Sequence, residues 1–393
     1  MTQLTFPDGF LWGAATAGHQ IEGGNVNSDW WPREVAPGSD IPEPSGDAAD
    51  SYHRYREDIA LLAASGLNTY RFSLEWSRIE PAEGMVSRAA LDHYRRVIDC
   101  CHEFGVQPAI TIYHFTTPRW FADDGGWRNP ASVERFARFT EIVLPLLDTA
   151  SHVFTINEPN ILAMIFAGKE GNQQIQAGAL PDPDPVVTGH IIAAHRRAVD
   201  LVRTTGRPVG WPVAPQQFYT DPGDTRAAEV MRAYAYPRET VFLEASRGDD
   251  FVGVQAYTRT RITADGPLPA PDDVEQTLTG WEYYPPAIAE AARLAHDVTG
   301  LPVFVSENGI ATADDQRRID YTRGALAALH AEVARGLPLI GYLHWSLLDN
   351  YEWGSYRPTF GLIGWDRETF ERHPKPSLAW LGEVAKANAV DTE

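Results

Sequence analysis

Two glutamates each follow directly on an apolar run of the kind that forms a buried strand. Glu158 ends the stretch VFTINE at 153–158, and Glu307 ends the stretch VFVSE at 303–307. A lone carboxylate after a strand is more often a helix cap or half of an ion pair. Two carboxylates that face each other can instead divide acid and base roles, because one can stay protonated while the other ionises. Which interpretation holds depends on the elements that carry the two residues.

Strand-type runs alternate with longer amphipathic stretches along the chain. The apolar runs lie at 10–17, 68–76, 107–115, 152–159, 208–215, 250–258, 301–309 and 338–350. Helical patterns separate them, for example at 51–66, 88–105, 186–206 and 318–336. Apolar strands that alternate with helices indicate a parallel sheet buried on both faces, and eight strands are the number that closes a barrel. We therefore predict an α/β fold, a single (β/α)8 TIM barrel that forms one catalytic domain over residues 1–393.

Bulk properties disfavour several other classes of protein. An open doubly wound sheet is the alternative fold, but the segment WGAATAGHQIEGG at 12–24 does not fit the glycine-rich phosphate motif of that fold. The net charge of −20 disfavours a nucleic-acid or anionic membrane surface, so we expect a neutral small-molecule partner. The sequence shows no Cys/His metal spacing, and we predict no metal site. The first residues resemble no signal peptide and no run is long enough to span a membrane, which predicts a cytoplasmic protein.

Polar residues close the predicted strands at the end where a barrel places its active site. They include Gln20, Arg71, His114, Asn157, Glu158, Gln255, Tyr257, Glu307, Trp345, Glu352 and Trp353. Glu158 lies on the fourth strand and Glu307 on the seventh, so their side chains can face each other across the barrel mouth. Such a pair suits glycoside hydrolysis, which needs one protonated and one ionised carboxyl beside the scissile bond. The tryptophans can stack on a sugar ring, and the amide, imidazole and carboxyl groups can bind its hydroxyls.

Five ordered motifs resemble those of glycoside hydrolase family 1, the β-glucosidase family, over nearly the whole chain. They are FPDGFLWGAATAGHQIEG at 6–23, YRFSLEWSRIEP at 70–81, TINEP at 155–159, VSENG at 305–309 and HWSLLDNYEW at 344–353. The resemblance implies a retaining, exo-acting β-glycosidase that needs no cofactor. It also implies that Glu158 is the acid/base and Glu307 the nucleophile, with Arg71 and Tyr257 in contact with Glu307. The residues implied to hold the sugar are Gln20, His114, Asn157, Glu352 and Trp353, with Trp345 as a platform.

Some positions depart from the family pattern and leave the substrate open. Phe115 stands where a tryptophan usually follows the histidine of the third strand, and Gln255 and Ala256 replace the usual residues of the sixth strand. One residue fewer separates Trp353 from Phe360 than in the usual pattern. The sugar can therefore be glucose, galactose, fucose or xylose. Glu352 disfavours a sugar 6-phosphate, because its carboxylate would repel the phosphate.

Two alternative functions stay open at this point. A metal-dependent barrel hydrolase would need His/Asp clusters at several strand ends, where only His114 qualifies. A non-catalytic sugar-binding relative would be expected to lose one carboxylate, whereas this chain keeps both Glu158 and Glu307.

Overall fold

The computed structural model describes residues 3–167 and 180–392. Its strands are β1 (Gln3–Thr5), β2 (Leu11–Ala15), β3 (Thr69–Ser73), β4 (Gln107–Tyr113), β5 (His152–Ile156), β6 (Val209–Gly210), β7 (Pro212–Val213), β8 (Phe218–Tyr219), β9 (Val252–Gln255), β10 (Thr260–Thr263), β11 (Gly266–Pro267), β12 (Val303–Asn308), β13 (Leu339–Trp345), β14 (Ile363–Trp365), β15 (Arg372–Pro374) and β16 (Ala389–Asp391). Its α-helices are α1 (Gly18–Ile21), α2 (Trp31–Val35), α3 (Ser51–Ser65), α4 (Trp76–Ile79), α5 (Arg88–Glu103), α6 (Arg119–Asp123), α7 (Ser132–Leu147), α8 (Pro159–Ala167), α9 (Pro185–Arg203), α10 (Thr225–Ala235), α11 (Val241–Ala245), α12 (Ala287–Thr299), α13 (Asp315–Ala334) and α14 (Pro376–Ala387).

The central sheet is a closed parallel barrel, as predicted. Its strand order is β6, β5, β4, β3, β2, β13, β12, β9, β7. The strands at the two ends of this order, β6 and β7, are two pieces of the predicted run 208–215, so the ring closes through that segment. All eight predicted barrel strands are thus confirmed, and the fifth is interrupted at Trp211. The buried indole of Trp211 donates to Ser246 Oγ over 2.7 Å and stacks on His195 at 3.8 Å between ring centroids.

The helices predicted from periodicity also form, and side chains cap several of them. Asp184 accepts from the backbone N–H groups of Val186 and Val187 and so begins α9. Asp314 does the same at the start of α13. The helices pack around the barrel, whose strands β2, β3 and β9 are buried along their whole length. This double burial explains why their sequences are apolar without alternation.

Aromatic rings fill the barrel interior near the amino ends of its strands. We call His152, Phe154, Phe251 and Phe304 the aromatic floor. Phe154 lies 5.2 Å from Phe251 and 5.7 Å from Phe304 between centroids, and His152 packs edge-on against both of those rings. The Arg71 guanidinium lies 4.9 Å above the ring of Phe154. The polar side chains at the upper end therefore rest on a packed apolar layer.

Peripheral elements complete the fold. β1 pairs antiparallel with β16, and β8, β10 and β11 form a small sheet beside the barrel mouth. Cys100 and Cys101 are buried thiols in α5. No helix in the described ranges is long and apolar enough to cross a membrane.

Candidate active site

Glu158 occupies a sharp turn between β5 and α8. Its φ is 42°, in the left-handed region that residues other than glycine rarely adopt. The backbone holds it there, because its N–H donates to Pro212 O over 3.0 Å and its carbonyl accepts from Leu162 N over 2.9 Å. Pro159 follows at the first position of the helix, where proline is favoured. The turn fixes the direction in which the Glu158 carboxyl projects from the barrel mouth.

Glu307 lies near the carboxyl end of β12, and two side chains hold its carboxylate. Nη1 of Arg71 donates to Oε1 over 2.6 Å, and the hydroxyl of Tyr257 donates to Oε2 over 2.7 Å. Gly309 lets the strand end lie close to β13, because a Cβ there would stand 2.1 Å from the carbonyl oxygen of Trp345. This close approach explains the glycine in VSENG in physical terms.

The surroundings of the two glutamates separate their acidities. Burial, and next the charge of Glu307, raise the pKa of Glu158 well above its usual value. No described residue donates a hydrogen bond to the Glu158 carboxyl. Burial also raises the pKa of Glu307, but Arg71 and the Tyr257 hydroxyl oppose that rise. Glu307 is therefore the more readily ionised member of the pair, and Glu158 the one that keeps a proton.

Asn157 follows the fourth barrel strand and connects it to the second, third and sixth strands. Its Oδ1 accepts from Arg71 Nη2 over 2.6 Å and from Gln255 Nε2 over 3.0 Å. This pattern identifies Oδ1, so the amide nitrogen is the group that donates to His114 Nε2 over 3.2 Å. The proton of neutral His114 therefore sits on Nδ1, which is buried and has no partner among the described residues. Burial lowers the pKa of His114 well below its usual value, so the ring is neutral.

Glu352 forms a second polar group at the mouth. Trp345 Nε1 donates to its Oε1 over 3.0 Å, and Gln20 Nε2 lies 3.5 Å from its Oε2. Gln20 is itself held by Asn350 Oδ1 at 2.9 Å. Burial raises the pKa of Glu352 to about 8, so this carboxyl is largely protonated at pH 7. We expected the Glu352 carboxylate to repel a sugar 6-phosphate, and this repulsion requires a pH high enough to ionise Glu352.

Four rings form a column of nearly parallel planes at the mouth. His19 stacks on Trp353 with 5.7 Å between centroids and 6° between planes. Trp353 lies 6.5 Å from His114, and His114 lies 5.9 Å from Trp345, both at 14°. Phe115 packs edge-on against Trp353 at 5.3 Å. Phe115 and Trp353 both have positive φ, of 65° and 48°, so the backbone directs these rings through unusual conformations.

The structure joins the predicted site residues other than Glu158 into one connected group, and the charge of Glu307 acts on Glu158. Hydrogen bonds and ring contacts join Glu307 through Arg71, Asn157 and His114 to the tryptophans and Glu352. The group also contains residues outside the predicted site, which are His19, Asn350, Trp30 and Trp281. Trp30 contacts Trp353, and Trp281 contacts Tyr257. The position of His19 next to Gln20 is the one signal that pointed to it.

Two aspartates near the site bind backbone amides of loops. Asp29 Oδ1 accepts from Thr117 N over 2.9 Å, and Asp349 Oδ1 accepts from Gly361 N over 2.8 Å. Asp349 also pairs with Lys375 at 2.7 Å. In the part of the chain that the structure describes, no group of three or more His, Cys, Asp or Glu side chains is arranged to hold a metal ion.

A parallel barrel with two interacting carboxyls at the ends of its fourth and seventh strands is the architecture of a barrel glycoside hydrolase. Residues 2–249 and 247–390 match the family model of glycosyl hydrolase family 1. The chain belongs to this family and is a glycoside hydrolase of the β-glycosidase type.

Similar proteins cover the whole chain. It is 32% identical over 452 aligned positions to β-glucosidase A of Acetivibrio thermocellus, with 99% of this chain and 100% of the relative covered. This chain is 43% identical in sequence to the protein in the crystal structure of β-glycosidase BGL167, and the two structures align with a TM-score of 0.89. The alignment covers 99% of this chain and 98% of the BGL167 chain. A family 1 β-glucosidase from Thermotoga maritima is 27% identical with a TM-score of 0.91, and each chain is fully covered, at 100%.

Proposed function

We propose that the protein is a retaining, exo-acting β-glycosidase that removes terminal non-reducing β-D-glycosyl residues from small glycosides. The proposal assigns Glu307 as the nucleophile and Glu158 as the acid/base. The observation that carries it is the unequal environment of these carboxyls. Arg71 and Tyr257 donate to both oxygens of Glu307, whereas Glu158 is held in a half-buried position with a raised pKa.

The mechanism follows from these environments. Ionised Glu307 attacks the anomeric carbon and forms a glycosyl ester, while Glu158 gives its proton to the leaving oxygen. Glu158 is then ionised and takes a proton from a water molecule. The water oxygen attacks the anomeric carbon, which breaks the ester bond and releases the sugar and the carboxylate of Glu307. Two displacements retain the configuration of the anomeric carbon.

The remaining residues bind the sugar in this proposal. Asn157 directs its amide toward the 2-hydroxyl, a contact that strengthens as positive charge develops at the anomeric carbon. The buried Oε1 of Gln20 and Nδ1 of His114 have no partner among the described residues, and sugar hydroxyls would supply one. Trp345 and Trp353 would stack on the ring, with Glu352 as a further hydrogen-bonding group. The β-glucosidases among the relatives support a β-D-glucoside as the first substrate to test.

Paired glutamate variants test the assignment. Glu307→Ala is expected to abolish hydrolysis of a nitrophenyl β-glucoside. Glu158→Ala is expected to slow substrates with poor leaving groups most, and azide is expected to restore turnover as a β-glycosyl azide. NMR of the first-formed sugar is expected to show the β-anomer. Full activity of the Glu307 variant, or an α-anomer as first product, would refute the proposal.

The alternatives are tested on the same assay. Loss of hydrolysis in chelator, with recovery on addition of a divalent metal, would support a metal-dependent hydrolase. Binding of glycosides without turnover would support a non-catalytic sugar-binding protein. A single catalytic domain over residues 1–393 and a cytoplasmic location remain predictions from the sequence.

A further inference from the structure

A cavity of about 500 Å³ lies at the end of the barrel opposite the two glutamates. His152 is the first residue of β5, and Pro208 and Phe251 immediately precede β6 and β9. Glu158 follows the other end of β5, six residues from His152. At about 3.3 Å per residue, roughly 20 Å of strand separates the cavity from the site. The aromatic floor fills the space between them, so the cavity is not part of the active site.

Two polar groups that line this cavity lack partners. The Arg207 side chain makes no ion pair or hydrogen bond with a described residue, and its Nε is buried. Other half-buried arginines of the described chain, such as Arg78 and Arg259, contact a carboxylate. His152 Nδ1 is also buried without a partner, and burial lowers the pKa of His152 to about 4, so this ring is neutral at pH 7. Buried polar groups in proteins are normally satisfied by protein, water or a ligand, so both groups are available to a molecule bound in this cavity.

The other charges of the cavity largely cancel. Arg203 Nη2 lies 3.5 Å from Asp250 Oδ1 and also donates to Gly248 O. Asp250 Oδ2 accepts from Val209 N over 3.0 Å. The uncompensated charge is therefore the guanidinium of Arg207. Next to it, the cavity wall is apolar where Pro208, Phe251 and Ile340 contribute.

We infer that this cavity binds a small monocarboxylate with an apolar body. A guanidinium presents a planar pair of donors that matches a carboxylate, so Arg207 would hold the charged end. Pro208, Phe251 and Ile340 would contact the apolar body, and His152 Nδ1 offers one further hydrogen bond. A cavity of this size is in the range of small-molecule sites. A phosphate dianion is disfavoured, because Asp250 lies at the cavity and the whole chain carries a net charge of −20.

Isothermal titration of the full chain with 2-naphthoate tests the inference. Wild-type protein is expected to bind it saturably, and 2-naphthamide, which has the same shape and no charge, more weakly. Arg207→Ala is expected to weaken naphthoate binding by about 10- to 100-fold, the effect of one charge-assisted hydrogen-bonded pair. Arg196→Ala removes an exposed arginine of α9, the helix that ends four residues before Arg207. This matched control is expected to bind as the wild type does.

Hydrolysis of a nitrophenyl glycoside distinguishes this site from the active site. Naphthoate is expected to leave the KM of the glycoside unchanged, and Arg207→Ala is expected to keep full activity, which also shows that the variant folds. Arg207→Lys, which keeps the charge without the planar fork, is expected to bind with intermediate affinity. Equal affinity in the Arg207→Ala and Arg196→Ala variants, equal binding of acid and amide, absence of saturable binding, or purely competitive inhibition would each overturn the inference. Because the binding assay needs no turnover, its outcome is independent of the roles of Glu158 and Glu307.

Discussion

Replacing Tyr257 with phenylalanine removes one donor from the proposed nucleophile and little else. The hydroxyl of Tyr257 lies 2.7 Å from Glu307 Oε2. Its ring packs against Trp281 and Phe360 at 5.6 and 5.9 Å, and phenylalanine keeps both contacts. The variant therefore isolates one hydrogen bond to a carboxylate.

The expected effect is a shift of the acidic limb of the pH profile. A hydrogen bond to a charged group contributes about 1.5–3 kcal/mol. The Tyr257 bond stabilises the ionised form of Glu307, so its loss raises the pKa of that carboxyl. At about 1.4 kcal/mol per unit, the rise is about 1–2 units. The limb of kcat/KM that requires ionised Glu307 moves to higher pH by that amount, and activity below the limb falls about 10- to 100-fold.

The assay is kcat/KM for a nitrophenyl β-glucoside measured across the pH range in which the protein stays folded. Tyr94→Phe is the matched control, because the buried Tyr94 hydroxyl donates to a different carboxylate, Glu22, over 3.0 Å. That control is expected to leave the acidic limb in place. An unmoved limb in Tyr257→Phe, or the same shift in both variants, would refute the reasoning about Glu307.

Three further perturbations probe stability and the site. Arg372 pairs with Asp58 over 2.7 Å in the wild type, and Asp58→Ala leaves this buried arginine without that partner. Urea unfolding should show that the free energy of unfolding falls by about 3–5 kcal/mol. A fall below about 1 kcal/mol, as for an exposed pair, would contradict this expectation. Gly309→Ala places a Cβ against the Trp345 carbonyl, so hydrolysis activity should fall strongly, and Gly309→Ser should be at least as impaired. Wild-type kinetics in either variant would show that β12 can shift to accept the Cβ. Trp345→Phe removes the donor to Glu352, so the pKa of Glu352 should rise above about 8 and KM for the glucoside should increase; an unchanged KM would argue against a role in sugar binding.

The barrel was predictable from the sequence because its strands are buried on both faces. Runs such as 107–115 and 303–307 are apolar without alternation, and helices of clear period separate them. The interruption at Trp211 was not predictable, because the run 208–215 is continuous in type. Its division depends on where the indole packs, against His195 and Ser246 from two other segments.

The candidate site was predictable in its members and not in its electrostatics. Polar residues at strand ends identified Asn157 and Glu307, because topology alone brings strand ends together. The protonation of Glu352 was not predictable, since it depends on burial by distant segments. The contact between His19 and Trp353 was hidden for a related reason, because more than 300 residues of chain separate two rings that meet only in the closed barrel.

Closure of the barrel has a consequence for synthesis on the ribosome. Strand β2 pairs with β3 on one side, but its other partner, β13, emerges about 330 residues later. At about 5–20 residues per second, that edge stays without its partner for roughly 15–65 s. An unpaired strand edge is a template for pairing with other chains. A nascent chain stalled before residue 339 should therefore aggregate or recruit chaperones, and release of the last strand should end both.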